Sequence, residues 1–228
     1  MNGSAFHSLE EALTDEHYPE VDLALRRGRH VGRDDGTMYE YLVDAQALLE
    51  TFYRRFGCEL IQRSDGYFYL LPSGDRLGRR QLSAGEMVVG QTLALLYLDP
   101  ATLQHGGVVG REALLQRLSA LLGIDVLVRT LDPRRMRRGK FDERIASEAL
   151  RTKVSEALRR LAELGFVDAL NDTQLRLRPA LMRFAEPVRG LDDRSAALER
   201  LVRAGEVVLD GGEQEPEDDA GTDEAPEP

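Results

Sequence analysis

The stretch TMYEYLVDAQALLETFYRRFGCELIQRSDGYFYLL, residues 37–71, decides the fold. Its first part carries Met38, Leu42, Ala45, Leu49, Tyr53 and Phe56 at helical spacing, which predicts one amphipathic helix over 37–56. Gly57 stops it, after Arg54 and Arg55 in the last turn, where cations complement the carbonyl end. Tyr41, Leu48 and Phe52 widen the apolar stripe, so the helix is expected to be buried on two sides, one against its own domain and one against a neighbouring domain or a partner. Two β-like runs follow, Cys58–Gln62 and Tyr67–Leu71, joined by Arg63-Ser64-Asp65-Gly66 with its Asp-Gly hairpin signal. Pro72, Ser73 and Gly74 end the second run. A helix followed by a hairpin is the shape of a winged-helix module. Within the hairpin, Tyr67-Phe68-Tyr69 alternate across a strand, so at least one ring leaves the domain's own core face. That ring either covers a neighbouring helix or, with Tyr39, Tyr41, Leu48 and Phe52, forms a partner-binding surface together with Tyr67, Phe68 and Tyr69.

Upstream, two helical segments, Leu9–Glu16 and Glu20–Arg27, are separated at Pro19, and Gly28 and Gly32 mark a loop around Arg29-His30-Val31. Downstream, Ser83-Ala84-Gly85-Glu86 reads as a capping box. Met87–Leu98 is nearly all apolar and predicts a central, buried helix ending before Pro100. Gly106-Gly107 reads as a linker, and Leu114, Leu115, Leu118, Leu121 and Leu122 form the core stripe of a helix over 110–122. Residues 123–141 read as irregular and basic, followed by a long helix over 142–164. Gly165 closes it, and Phe166–Leu170, Asn171-Asp172-Thr173 and Gln174–Arg178 form a second hairpin. The order of the first half is repeated without repetition of sequence. The expected fold is therefore α+β and mainly helical, with two winged-helix modules in tandem, each with a β-hairpin wing. Residues 1–105 form the N-terminal module with a central linking helix, 106–205 the C-terminal module, and 206–228 a disordered acidic tail.

The charge distribution supports that division. The chain of 228 residues has 40 acidic and 30 basic residues, for a net charge of -10. Ten of the acidic residues lie in 206–228, which has no Lys or Arg, so 1–205 is balanced at 30 of each sign. The tail, rich in Gly, Pro and Glu, has too little apolar surface to fold. It reads as a solubilising tail or as a decoy that competes with DNA phosphates for the protein's own basic surface. Met1–Leu9 lacks a basic start and an apolar stretch, no run approaches the roughly 18 apolar residues of a membrane span, and Cys58 is the single cysteine. Together these favour the cytoplasm and exclude a disulfide framework or membrane partner.

On the helix over 142–164, Leu150, Val154, Ala157, Leu158, Leu161 and Leu164 share one arc at about 100° per residue. Arg159 then points away from that core, with Arg151, Lys153 and Arg160 on the flanks, in the position of a recognition helix. Arg129, Arg134, Arg135, Arg137, Arg138 and Lys140 precede it. This pattern predicts weak, sequence-independent contact with DNA phosphates, since no paired Asn or Gln is placed to read bases. The alternative is a solvated face whose cations pair with Glu148, Glu156 and Glu163. Catalytic constellations are missing: His7, His17, His30 and His105 have no metal-ligand spacing, and no phosphate-binding Walker motif is present. Gly28-Arg29-His30-Val31-Gly32 lacks the preceding strand of a nucleotide site, and Asp34-Asp35 reads as a polar turn. The chain is read as a non-enzyme without a cofactor.

The ordered part resembles MukE, the winged-helix subunit family of the bacterial MukBEF condensin. The resemblance rests on the run Tyr18–Gly32, on Leu48–Phe56, on Gly66-Tyr67-Phe68-Tyr69-Leu70 and on Leu95-Leu96-Tyr97-Leu98. Lys153-Val154, Arg159–Gly165, Phe184, Arg189-Gly190, Asp192-Asp193-Arg194 and the acidic tail extend it over about 200 residues. The resemblance implies a dimeric, non-catalytic protein that clamps the extended middle region of the kleisin MukF, which bridges the ATPase MukB, in a nucleoid-associated complex that condenses and segregates chromosomes. It further implies that the second module contacts double-stranded DNA, for which Arg151, Lys153, Arg159 and Arg160 are the candidates by position. Three alternatives are a dimeric winged-helix transcription regulator, a nucleic-acid enzyme, and a kleisin-binding scaffold without DNA contact.

Overall fold

The computed structural model describes residues 6–73, 81–131 and 143–210. The first half begins with α1 (Leu9–Thr14), whose Ser8 cap accepts a hydrogen bond from the Glu11 amide, and α2 (Tyr18–Arg26), which carries Pro19 in its first turn. Proline there removes only an amide that has no partner in a helix start, so it begins α2 rather than breaking it. The short strand β1 (Val31–Gly32) and a 3-10 turn (Arg33–Asp35) lead into α3 (Thr37–Arg54) and the hairpin β2 (Cys58–Arg63) and β3 (Tyr67–Pro72). The second half contains α4 (Ala84–Leu98), α5 (Pro100–Gln104), β4 (Val108–Gly110), α6 (Arg111–Leu122) and α7 (Ile124–Leu131). It continues through α8 (Glu143–Glu163), the hairpin β5 (Val167–Ala169) and β6 (Gln174–Leu177), two 3-10 turns and α9 (Arg194–Asp210).

The fold is mixed, mainly helical, with two small antiparallel sheets. Their strand orders are β1-β3-β2 and β4-β6-β5, so in both the last strand of the hairpin lies in the middle. Each half thus runs strand, helix, hairpin, with a short strand covering the open edge of the hairpin's last strand. The loop expected at Gly28–Gly32 supplies β1, whose Val31 and Gly32 pair with Phe68 and Tyr67. The segment expected to be irregular after Gly123 begins with α7 instead. Its Leu127 is fully buried, and periodic apolar residues from Val126 to Leu131 pack on the second core. Helix α9 runs to Asp210, so the first five residues expected in the acidic tail are helical. Residues 211–228 lie outside the described residues.

Two cores share β3. Ala12, Leu25, Leu42, Leu49, Tyr53, Phe68 and Leu70 belong to the first. Tyr67 and Tyr69 belong to the second, with Leu93 of α4, Leu114 and Leu118 of α6, Leu161 of α8 and Leu198 of α9. Alternate side chains of a strand point to opposite faces, and here both faces are covered by protein. Helix α4 explains itself the same way. Its capping box is complete, with Ser83 Oγ accepting from the Glu86 amide at 3.2 Å and Glu86 accepting from the Ser83 amide at 2.8 Å. Beyond the cap it is apolar on every side because it lies in the middle of the second core, against α6, α7, α8 and α9. Close approach there is permitted by Gly90, where a Cβ would strike the Phe184 ring.

Candidate functional site

The two halves meet in a polar joint centred on His30. Its backbone amide donates to the Leu164 carbonyl at 2.8 Å, and its ring Nδ1 donates to the same oxygen at 2.9 Å. That assigns the proton to Nδ1 and leaves Nε2 to accept from Arg183 at 3.1 Å. The ring lies against Phe166, with centroids 4.4 Å apart, and against Tyr69 at 5.4 Å. Burial, reinforced by the positive charge of Arg183, pushes its pKa down to about 3, so His30 is neutral at pH 7. The Arg183 guanidinium in turn sits 4.0 Å from the centroid of Tyr69, a cation–π contact.

A second layer of the joint is ionic. Asp35 accepts from the Gly32 amide, from Arg29 and from Arg178, each at 2.8 Å, and Arg178 also donates to Asp168 at 2.9 Å. Burial alone would raise the pKa of Asp35. Hydrogen bonds from Arg178, Arg29 and the Gly32 amide outweigh it and hold the carboxyl below its ordinary value. Outside this buried pair, Arg63 meets Glu186 at 3.0 Å and Arg189 meets Asp65 at 2.7 Å. His30 and Asp35, which read as loop and turn residues in the sequence, are therefore the centre of the contact between halves. No local signal marks them, because their partners are 134 and 143 residues away.

Beside the joint opens a cleft of about 550 Å³, with Leu25, Leu71, Leu82, Met87 and Phe184 on its walls and Arg183 at its edge. Leu71 and Met87 both line the cleft and remain 39% and 37% exposed, a pair of large apolar side chains open to a partner. Such a surface suits an extended apolar segment.

The residues predicted to bind a partner separate into two groups. Tyr41, Tyr67, Phe68 and Tyr69 are buried within the chain, covered by its own elements. Tyr41 donates to the Ala12 carbonyl at 2.8 Å, and the β3 rings fill the two cores. The ring that leaves the first core enters the second, because both faces of the sheet are covered. Tyr39, Leu48 and Phe52 are only half-buried on the first core and keep outward surface.

The predicted DNA-binding residues lie on or before α8. Arg134, Arg135, Arg137, Arg138 and Lys140 fall outside the described residues. Arg159 is exposed and has no ion pair among the described residues. Lys153 pairs with Glu156 at 2.8 Å and Arg160 with Glu163 at 3.0 Å, each one turn along the same helix. Arg151 reaches across to Glu112 of α6 at 2.9 Å rather than to Glu148. The cations occupy three directions around α8, with Arg159 opposite the buried stripe. Glu112 was not among the residues singled out in the sequence, since only the packing of α6 beside α8 brings it to Arg151.

Among the described residues, no group of three or more His, Cys, Asp or Glu could hold a metal ion, and no helix is long and apolar enough to cross a membrane. Cys58 is free and buried, and burial raises its thiol pKa.

Comparison with known proteins is consistent along the chain. The MukE-like family model matches residues 6–227. The chromosome partition protein MukE of Yersinia pseudotuberculosis is 36% identical over 203 residues, covering 88% of this chain and 85% of the relative. That of Escherichia coli O157:H7 is 35% identical over 203 residues, covering 88% of each. That of Pectobacterium atrosepticum is 34% identical over 215 residues, covering 93% of this chain and 91% of the relative. With a family match through both halves and the joint between them, the chain belongs to the MukE-like family.

Proposed function

We propose that this protein is a non-catalytic, dimeric subunit of a MukBEF-type condensin, acting in chromosome partition by seating an extended segment of the kleisin MukF. The observation that carries this reading is the apolar cleft beside the joint, lined by exposed Leu71 and Met87. The two modules are read as winged helices in tandem, a reading supported by the repeated strand, helix and hairpin order. Because buried contacts join them, the cleft is preformed, and a peptide entering it loses less freedom than one that must also order its receptor. Dimerisation would present two such clefts and add avidity. Tyr39, Leu48 and Phe52 supply a further apolar surface for the dimer mate or the kleisin. MukB performs the ATP chemistry in this reading, and the assembly works on the nucleoid.

Light scattering on gel filtration, with and without the middle segment of the host's MukF-like protein, tests the proposal. The wild-type dimer is expected to shift to a complex of defined mass. The double variant Leu71→Asp/Met87→Asp is expected to keep its dimer mass and lose the shift, because both side chains are exposed and their replacement disturbs little of the core. A double variant that still forms the complex removes the cleft from the model.

A second function, contact with double-stranded DNA, is favoured by exposed Arg159 and by Arg151 on α8. It is proposed as independent of sequence. A winged-helix regulator would instead prefer its operator by about 10³-fold or more over other DNA, so competition between random and selected duplexes separates the two readings.

A further inference from the structure

We propose that Glu112 is a brake on DNA binding, holding Arg151 across the groove between α6 and α8 until a phosphate displaces it. The inference rests on the reading that α8 contacts DNA.

Two clefts, of about 490 and 300 Å³, lie along the line where α6 meets α8. Both are bounded by Glu112, Leu115 and Arg151, so they are one groove bridged in the middle by an ion pair. The bridge is two-pronged, with Arg151 Nη1 2.9 Å from Glu112 Oε2 and Nη2 3.2 Å from Oε1. On the side facing the β5–β6 turn, the groove is lined by Arg111, Ser155, Thr173 and Gln174, with the carboxylate of Asp172 also on its wall. The second cation, Arg111, has a buried Nε without a hydrogen-bond partner among the described residues.

Among the described residues, this pair differs from two others on α8. Lys153–Glu156 and Arg160–Glu163 are made within one helix and travel with it. Glu112 is on another element, and its carboxylate takes the two-pronged face of the guanidinium that a phosphate would use. Both side chains are more than half exposed, at 56% and 58%. Exposed pairs of this kind are weak, so the exchange of carboxylate for phosphate is easy, and the pair attenuates binding without blocking it. Arg151 and Ser155 are four residues apart on the groove side of α8, and Arg159 follows at the next turn, so release of Arg151 would extend a row of donors toward the exposed cation.

The test is fluorescence anisotropy of a labelled random-sequence duplex with the full chain, in salt from about 50 to 200 mM, the range over which phosphate contacts dominate. Glu112→Gln is expected to tighten binding severalfold at the low end and to steepen the slope of log K against log salt by about 0.9, the increment for one added phosphate contact. Arg151→Ala is expected to weaken binding, and in its background Glu112→Gln is expected to give no gain. Glu10→Gln, which removes the same charge from α1 in the first half, where Glu10 has no ion pair among the described residues, controls for net charge and is expected to leave the slope unchanged. A Glu112→Gln protein that binds like wild type overturns the brake while leaving the DNA reading intact. So does a gain that persists in the Arg151→Ala background, since it would be a bulk charge effect. Absence of binding by every variant overturns the DNA reading and the brake with it.

Discussion

Replacing Gly165 with alanine attacks the joint at its tightest point. Gly165 has φ +77°, and a Cβ built there would strike the carbonyl oxygen of His30 and approach its carbon at 3.2 Å and its nitrogen at 3.3 Å. Two costs add. An alanine in the left-handed region loses about 1–2 kcal/mol against glycine. The collision is with backbone rather than with a side chain that can swing aside, so β1 must move away from the end of α8. Movement weakens both hydrogen bonds that His30 makes to the Leu164 carbonyl, at 2.8 and 2.9 Å. At a net value of about 1 kcal/mol for each, the total loss is about 3–4 kcal/mol. Gly106→Ala is the matched control. Its φ is +67° and nothing among the described residues lies within 4 Å of the added Cβ, so only the conformational cost of about 1–2 kcal/mol applies. Urea unfolding of both variants, followed by far-ultraviolet circular dichroism, measures the difference. Equal midpoints for the two alanine variants would refute the argument that close backbone approach between the halves, rather than glycine conformation alone, sets the requirement at position 165.

Two further outcomes follow from the same joint. His30 is neutral when folded, with its pKa pushed down to about 3 from an ordinary value near 6.5. The unfolded chain therefore binds more protons between those values. The stability that His30 confers is fully present above pH 6.5 and falls by about 1.4 kcal/mol per unit as the pH drops below it. Urea midpoints measured between pH 7 and 5 check this: His30→Gln is expected to be less stable at pH 7 but to lose less on acidification, and parallel pH profiles would count against the assignment. Arg178→Met leaves the buried Asp35 carboxylate with Arg29 alone among its cation partners and is expected to cost about 3–5 kcal/mol. Adding Asp35→Asn is expected to recover part of that loss in the same assay, and a double variant weaker than Arg178→Met by the full cost of Asp35→Asn alone would show that the two groups do not act as a pair.

Much of the local structure was legible. The spacing of Leu42, Ala45, Leu49 and Tyr53 predicted α3, and Ser83 with Glu86 marked the start of α4, because helix periodicity and capping depend on residues three and four apart. The Asp65-Gly66 pair placed the first hairpin turn correctly. The missed elements were those that need a distant partner or present short signals. Strand β1 consists of two residues and exists as a strand only because β3 is there to pair with it. Helix α7 was hidden in a stretch read for its arginines, although Ile124, Leu127 and Leu131 follow helical spacing within it.

The candidate site shows the same division. By itself the sequence determined that Arg159 stands opposite the buried stripe of α8, that an alternating Tyr67-Phe68-Tyr69 strand must serve two faces, and that the excess acidity lies at the C-terminus. These follow from the backbone's own periodicity and from composition, which no tertiary contact alters. Only the tertiary structure decided what lies on each face. It enclosed Tyr67 and Tyr69 in a second core, set His30 under Leu164, joined Asp35 to Arg178, and brought Glu112 to Arg151. A buried polar group needs a partner wherever the chain supplies one, and burial of apolar surface has no direction of its own. Which residues meet is therefore set by the packing of whole elements, and no stretch of sequence a few turns long contains that information.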